Sequence, residues 1–319
     1  MLFAHQLLLP LTEATDPDTL VRVATSIGKM LNAASLHLLC FPNALGQGVA
    51  KAFPKSLRSL DNHETKTFLP ELDAIGTTKT QLEAMGMQVS VEVVQRETLA
   101  DATLAALERL KADLVLMLTP NHARPSVEQE TLKRLLRLGG ANVLMIPREL
   151  GAEVVFPPPK RILVPVDFSG YARAALKVAK ELAHSLPNAQ LLVLNVATQS
   201  GGYLAPQVHN WEYQFAKDRI RMSLFQRLEG FIHDTHGPET QYDLDILFGE
   251  PIHQIITTAN RNQIDLIVMS SHGLNGIERL MIGSVTEGIM RQTSVPLLVV
   301  KATEVKSGFA SASLLAASA

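Results

Sequence analysis

One order of apolar runs and helical patterns occurs twice in this chain of 319 residues. Each half opens on an apolar run that contains a proline, continues with a helical pattern and closes on another apolar run. The paired segments are QLLLPLTEATD (6–16) with RILVPVDFSGYA (161–172), ADLVLMLTP (112–120) with IDLIVMSSH (264–272), and ANVLMIPRE (141–149) with VPLLVVKAT (295–303). Matching elements in the same order indicate an internal duplication.

The apolar runs are continuous rather than alternating, which is typical of strands that are covered on both faces. Because helical patterns separate them, the sequence predicts an α/β fold built from parallel strands. We expect two tandem, doubly wound open sheets of about five mainly parallel strands each, with helices on both faces. A chain of this length suits two domains.

The boundaries follow from composition. Residues 150–159 contain three prolines and predict a stiff linker, because proline cannot join a regular ladder or a helix interior. The expected domains are therefore residues 1–149 and 160–303. Residues 304–319 are small and low in complexity, which predicts a disordered tail.

Charge and cysteine content limit the classes of function. The formal net charge is −2, which gives no electrostatic case for a nucleic acid or an anionic membrane. The single cysteine, Cys40, cannot form a disulfide within the chain, so a reducing compartment fits. The N-terminus lacks the pattern of a signal peptide, and no apolar run approaches the ~18 residues of a membrane span. These features predict a cytoplasmic protein.

The stretch SSHGLNGIERLMIGSVTEG (270–288) follows an apolar strand and leads into a helix. Ligands of open α/β sheets bind outside the carboxyl ends of strands, and a helix N-terminus suits phosphate. Gly273 would let a ligand approach the backbone, and Ser284 and Thr286 would add hydroxyl donors. The alternative is that Gly273 only turns the chain and that Ser284 and Glu287 form a capping box.

The second half resembles the universal stress protein family. The resemblance is carried by ILVPVDFS, GEPIHQII, DLIVMSSHG and GSVTEGIMRQTSVPLLVV, and it covers residues 160–302. The first half is similar chiefly in the order of its elements. The resemblance therefore implies a tandem universal stress protein with two Rossmann-like sheets of the adenine nucleotide α-hydrolase type.

ATP-binding members of that family carry Gly-x2-Gly-x9-Gly-Ser/Thr. This chain keeps the spacing with Gly273, Gly283 and Ser284, but Ser270 replaces the first glycine. The serine hydroxyl could crowd a nucleotide or could supply a new hydrogen bond. By this resemblance the ligand is ATP or another adenine nucleotide, with Mg²⁺ on its phosphates as an option.

The same resemblance implies a residue set for the site. Asp167 would contact the base or ribose, and the backbone at Val196 would read the adenine edge. The phosphate and ribose would lie against the glycine-marked loop, with His272 beside it. The full set is Pro165, Asp167, Val196, Ser270, His272, Gly273, Gly283, Ser284 and Val285. Two alternatives stay open: Asp167 could cap the following helix, and His272 could satisfy a loop carbonyl.

The first half lacks these groups. Thr12 aligns with Asp167, and Leu118, Thr119, Pro120 and Asn121 align with residues 270–273. Pro120 removes a backbone donor of the kind that binds phosphate. We expect residues 1–147 to bind no nucleotide and to serve as a built-in dimer partner, through contact of strands 142–147 and 296–301. Further pairing into a homodimer is an open possibility.

Three functions fit the sequence. The first is a nucleotide-binding stress-response protein that is not an enzyme, and the second is a nucleotide-free scaffold with the site closed by Ser270. The third is a slow ATPase, for which Arg279 is the nearest cationic candidate. A P-loop and a GxSxG nucleophile elbow do not occur in the sequence. His233 and His236 are spaced i, i+3, which is a weak metal signal without a third ligand.

Overall fold

The computed structural model describes residues 6–11, 23, 25–28, 30–31, 33–41, 83, 86–94, 97–119, 127–147, 157–198, 210–273 and 282–301. Several expectations fall on positions outside these ranges, namely 12, 120, 121, 150–156, 279 and 304–319. Among the described residues, none of the helices combines the length and the apolar character that a membrane crossing requires.

The first half contributes five strands and two bounded helices. The strands are β1 (Gln6–Leu11), β2 (Ser35–Cys40), β3 (Gln88–Val93), β4 (Leu114–Thr119) and β5 (Asn142–Pro147). Helix α1 (Leu99–Leu110) lies between β3 and β4, and α2 (Val127–Leu138) lies between β4 and β5. Helical residues also occur at 25–28, between β1 and β2.

The second half repeats this order. Its strands are β6 (Arg161–Pro165), β7 (Gln190–Ala197), β8 (Tyr242–Phe248), β9 (Leu266–Ser270) and β10 (Leu297–Val300). Its helices are α3 (Gly170–Ser185), α4 (Asn210–His233), α5 (Pro251–Arg261) and α6 (Ser284–Gln292). In this half a helix lies between every two consecutive strands, as the sequence predicts.

The two expected sheets are joined into one sheet of ten described strands, in the order β3-β2-β1-β4-β5-β10-β9-β6-β7-β8. Each half therefore has the strand order 3-2-1-4-5 when its own strands are numbered from one to five. The pairs within each half are parallel, whereas β5 and β10 pair antiparallel, with Leu298 opposite Leu144. This is the expected contact between the two closing strands, and we call it the seam.

The apolar runs bury both faces of the sheet. Neighbouring residues of β6 alternate between the faces, since Ile162 and Val164 belong to one apolar cluster and Leu163 to the other. Both clusters contain side chains from both halves. The core therefore continues across the seam.

Local sequence fixes where the helices of the second half begin. Ser169 caps α3, because its Oγ accepts a hydrogen bond from Ala172 N at 3.0 Å. Glu250 caps α5 by accepting from the N–H groups of Ile252 and His253, and Pro251 occupies the first turn, where its missing N–H costs nothing. These caps set the starts of two helices beside the carboxyl ends of the strands.

Candidate functional site

A cleft of about 910 Å³ lies at the carboxyl ends of β6, β7 and β9. It opens where the strand order reverses, since β6 is flanked by β7 on one side and β9 on the other. This is the position at which open α/β sheets bind ligands. The structure brings all nine predicted positions to its lining: Pro165, Asp167, Val196, Ser270, His272, Gly273, Gly283, Ser284 and Val285.

The backbone of Val196 faces the part of the cleft that β6 leaves open. In a strand, successive residues direct their N–H and C=O groups toward opposite neighbouring strands. Ala197 O accepts from Gly249 N beyond β8, whereas Leu194 O accepts from Val166 N on the β6 side. Val196 therefore directs its backbone groups toward the β6 side. Because β6 ends at Pro165, opposite Leu194, that side is open at Val196.

Asp167 has a local role in the loop that follows β6. Its Oδ1 accepts a hydrogen bond from Ser169 N at 3.0 Å, while Ser169 rather than Asp167 caps α3. Its other carboxylate oxygen lies beside Gly273, where an added Cβ would come within 2.7 Å of Oδ2. Asp167 thus joins the loops after β6 and β9 across the cleft.

The hydroxyl of Ser270 neither projects as an obstruction nor remains available to a ligand. Ser270 Oγ donates to the main-chain oxygen of His272 at 2.5 Å, and the residue is buried. The main-chain oxygen of Ser270 accepts from Thr286 Oγ1 at 2.9 Å. The serine that replaces the family glycine therefore stabilises the loop that it begins. Thr286 was expected to offer its hydroxyl to a ligand, which is wrong because that hydroxyl is bound to Ser270.

His272 is a buried wall residue of the cleft, 7% exposed. Its Nδ1 lies 2.8 Å from Ser271 Oγ, and its ring packs on Tyr171 with 5.3 Å between centroids. Its Nε2 is buried and has no hydrogen-bond partner among the described residues. Burial lowers the pKa of His272, and the nearby charge of Lys301 lowers it further.

An unpaired buried polar atom costs about 1–3 kcal/mol, which a ligand atom or an ordered water would recover. Among the described residues, no loop carbonyl accepts a hydrogen bond from the His272 side chain. Its own carbonyl is instead the acceptor for Ser270.

Helix α6 begins without a side-chain cap. Gly283 is its N-cap and makes no side-chain hydrogen bond, and Ser284 is the first helical residue. The capping box of Ser284 and Glu287 is therefore wrong. The carboxylate of Glu287 pairs instead with Lys133 of α2 at 3.0 Å and with Arg291. The first N–H groups of α6 thus have no side-chain acceptor from the N-cap, as an anion site requires.

Sequence reasoning missed two polar residues that shape the cleft. Asn195 donates from Nδ2 to Val166 O at 2.8 Å and so fixes the start of the β6–α3 loop. Ser271 is fully buried, and its main-chain oxygen accepts from Gly283 N at 2.9 Å. The signal for Asn195 was present, because it is one polar residue within the apolar run LLVLNVA.

The weak metal signal at His233 and His236 gains no support. The side chain of His233 is 90% exposed, and Asp234 is its neighbour at 3.5 Å. Within the ranges that the structure describes, no group of three or more His, Cys, Asp or Glu side chains could hold a metal ion.

Comparison with known proteins gives the same fold. The model of the universal stress protein family matches residues 158–301. A putative universal stress protein of Staphylococcus haemolyticus is 30% identical over 152 residues, which cover 47% of this chain and 89% of that protein.

Two solved structures are similar over nearly the whole chain. A putative universal stress protein of Pseudomonas aeruginosa has a TM-score of 0.60 at 17% identity, covering 93% of each chain. A universal stress protein of Archaeoglobus fulgidus has a TM-score of 0.54 at 17% identity, covering 93% of this chain and 96% of its own.

The parallel strands of each half and the cleft at the switch point define an α/β protein with doubly wound, Rossmann-like strand order. Within that class, the chain belongs to the universal stress protein family. The family model matches the second half, whereas the likeness to solved structures extends over both halves.

Proposed function

We propose that the second half of the chain binds an adenine nucleotide, ATP or AMP, in the cleft after β6, β7 and β9. The observation that carries this proposal is the convergence of the nine implied positions on one cleft at the strand-order switch. The walls include apolar side chains that suit a base, among them Leu194, Ile255 and Met269. The uncapped start of α6 suits phosphate.

In this proposal the groups of the cleft contact three parts of the nucleotide: the adenine, the ribose and the phosphates. The backbone of Val196 reads the edge of the adenine, and Asp167 accepts from a ribose hydroxyl. Gly273, Gly283 and the first N–H groups of α6 bind the phosphates. His272 Nε2 donates to a ligand oxygen, in the tautomer that accepts from Ser271 Oγ through Nδ1. Mg²⁺, where it accompanies the nucleotide, binds phosphate oxygens with the help of Asp167.

At the level of the whole protein, we propose a cytoplasmic stress-response protein that is a binding protein rather than an enzyme. Nucleotide occupancy would alter which partner proteins bind, provided that the ligand favours one conformation over another. Residues 1–149 would bind no nucleotide and would serve as a built-in partner through the seam. If the protein produced ADP from ATP, it would instead be a slow ATPase.

The test is a calorimetric titration of the full chain with ATP, repeated with Gly283→Val. A Cβ at Gly283 would meet no atom closer than 3.6 Å, so the backbone leaves room for a side chain, and the melting temperature of Gly283→Val is measured to show that it folds. Its isopropyl group would occupy the space beside Gly273 N and remove most of the affinity. Gly230→Ala, on the exposed side of α4, is the matched control and should bind ATP as the wild type does. Equal affinity of Gly283→Val and wild type would refute the phosphate assignment.

A further inference from the structure

Lys301 connects the end of β10 to helix α2 of the first half. Its Nζ donates to the main-chain oxygens of Leu136 at 2.6 Å and Arg137 at 3.0 Å. Its backbone N–H donates to Asn142 Oδ1 at 2.9 Å. Because α2 ends at Leu138, these two oxygens lack partners within the helix, and a cation there also complements the helix dipole.

The end of β10 is also hydrogen-bonded to the loop that lines the cleft. Val300 O accepts from Ser271 N at 3.2 Å, and Ser271 O accepts from Gly283 N at 2.9 Å. Ser271 therefore bridges the residue before Lys301 to the N-cap of α6. Its hydroxyl lies against His272, whose pKa is lowered by the charge of Lys301 as well as by burial.

A second contact joins α2 to the same site. Lys133 Nζ lies 3.0 Å from Glu287 Oε1, in the first turn of α6. The hydrogen bond from Lys133 is the main reason why the pKa of Glu287 is lowered. One helix of the first half is thus tied to both elements that frame the proposed phosphate position, the loop after β9 and the start of α6.

We infer that α2 holds the nucleotide cleft of the other half in its binding shape, and that Lys301 is the positioning residue that transmits this constraint. The inference rests on the proposed function. It gives the first half a regulatory role in addition to its packing role. A partner that displaced α2 would change nucleotide affinity, and nucleotide would change that partner's affinity by the same factor.

The experiment compares Lys301→Met with Lys301→Arg and Val143→Ala in the full chain. Lys301→Met removes the bonds to α2, and Lys301→Arg keeps a donor there. Val143→Ala weakens the packing of the seam opposite Val299 but leaves Lys301 intact. Three quantities are measured for each variant: the Kd for ATP, the melting temperature, and the amide NMR signals of Ser271 and Gly283 without nucleotide.

Lys301→Met is expected to raise the Kd for ATP by about 5- to 150-fold, the usual range of coupling between sites. It should also shift the Ser271 and Gly283 signals in the nucleotide-free protein. Lys301→Arg should recover most of the affinity, and Val143→Ala should keep it despite a lower melting temperature. Lys133→Met, which removes the ion pair with Glu287, should also weaken binding and replaces Lys301→Met in the test if that variant does not fold.

Unchanged affinity in a folded Lys301→Met, or in Lys133→Met where Lys301→Met does not fold, would overturn the inference. An equal loss in Val143→Ala would also overturn it, because general weakening of the seam would then suffice. If the wild type binds no ATP, the proposed function fails, yet the amide signals still decide the inference. Shifted signals in Lys301→Met would support the positioning role, and unshifted signals would refute it.

Discussion

Gly273 and Gly283 line the same cleft for different physical reasons. A Cβ at Gly273 would lie 2.7 Å from Asp167 Oδ2, closer than real Cβ contacts, whereas a Cβ at Gly283 would make ordinary contacts at 3.6 Å. A side chain at the first glycine would therefore displace the Asp167 carboxylate. The second leaves space that a ligand can use.

Gly273→Ala should displace the Asp167 carboxylate and weaken ATP binding, while Gly283→Ala should leave the fold unperturbed. Calorimetry gives the affinity of each variant, and thermal denaturation gives its stability. The melting temperature is expected to fall in Gly273→Ala and to stay near the wild-type value in Gly283→Ala. A lower melting temperature in Gly283→Ala alone would contradict this assignment.

The buried imidazole of His272 predicts a pH dependence. In the unfolded chain histidine binds a proton near its usual pKa of about 6.5, but burial, together with the charge of Lys301, lowers the pKa of His272 in the folded state. The unfolded state thus binds more protons below about pH 6.5, and stability falls as the pH drops through that range. Burial and the charge of Arg109 also lower the pKa of His37, although Glu92 has the opposite effect. His37 therefore contributes to the same loss of stability at low pH.

Urea denaturation at pH 8 and pH 5.5 measures this effect. The free energy of unfolding of the wild type should be lower at pH 5.5, and His272→Gln should show a smaller loss between the two values. The comparison at pH 8, where histidine is neutral in both states, corrects for any constant effect of the substitution. An identical loss in wild type and variant would exclude His272 as a source.

At the scale of elements, continuous apolar runs predicted inner strands but not the edge strands β3 and β8, which mix polar and apolar residues. A strand that is buried on both faces needs apolar side chains at every position. Leu266–Ser270 and Leu297–Val300 are examples. The start of α6 was not predictable in the same way. Ser284 and Glu287 have the spacing of a capping box, but Glu287 is drawn to Lys133 of α2, a contact that depends on the fold of the whole sheet.

Glycine within a helix offers a test at this scale. Gly230 is exposed in α4, and a Cβ there meets nothing within 4 Å. Gly230→Ala should raise the free energy of unfolding by about 0.5–1 kcal/mol, because alanine loses less backbone entropy in a helix. Gly86 is the matched control: it is equally free of contacts but has a φ of +82°, so Gly86→Ala should destabilise. Urea midpoints measure both, and the same sign for both would contradict the argument.

At the scale of the whole molecule, the sequence predicted that the closing strands meet but not that the two halves share their cores. The pairing of Leu144 with Leu298 places both in one cluster that runs through both halves. Similarly, spacing and resemblance predicted nine positions that all line one cleft, whereas the roles of Ser270 and Ser271 were not predictable. Their hydrogen bonds depend on where β10 places Val300 O and on where the β9–α6 loop returns.

A shared core predicts that the two halves unfold together. The chain has one cysteine, Cys40, which lies in the first half. Burial raises the pKa of the Cys40 thiol to about 12, so a thiol reagent should react with it only on unfolding. In a urea series the reactivity of Cys40 and the native amide NMR signal of Val164, buried in β6 of the second half, should change at the same midpoint. Separate midpoints would show two independent units.

The central claim is that the cleft of the second half holds an adenine nucleotide. The most direct test is to purify the protein without added nucleotide, denature it and chromatograph what is released, and then to titrate stripped protein with ATP while following its melting temperature. A site filled at 100 times its Kd should stabilise the fold by about 2.7 kcal/mol, a shift of several degrees. Released or binding adenine nucleotide is the predicted result. If the protein released no adenine nucleotide and ATP did not change its melting temperature, the result would contradict the account and favour a nucleotide-free scaffold.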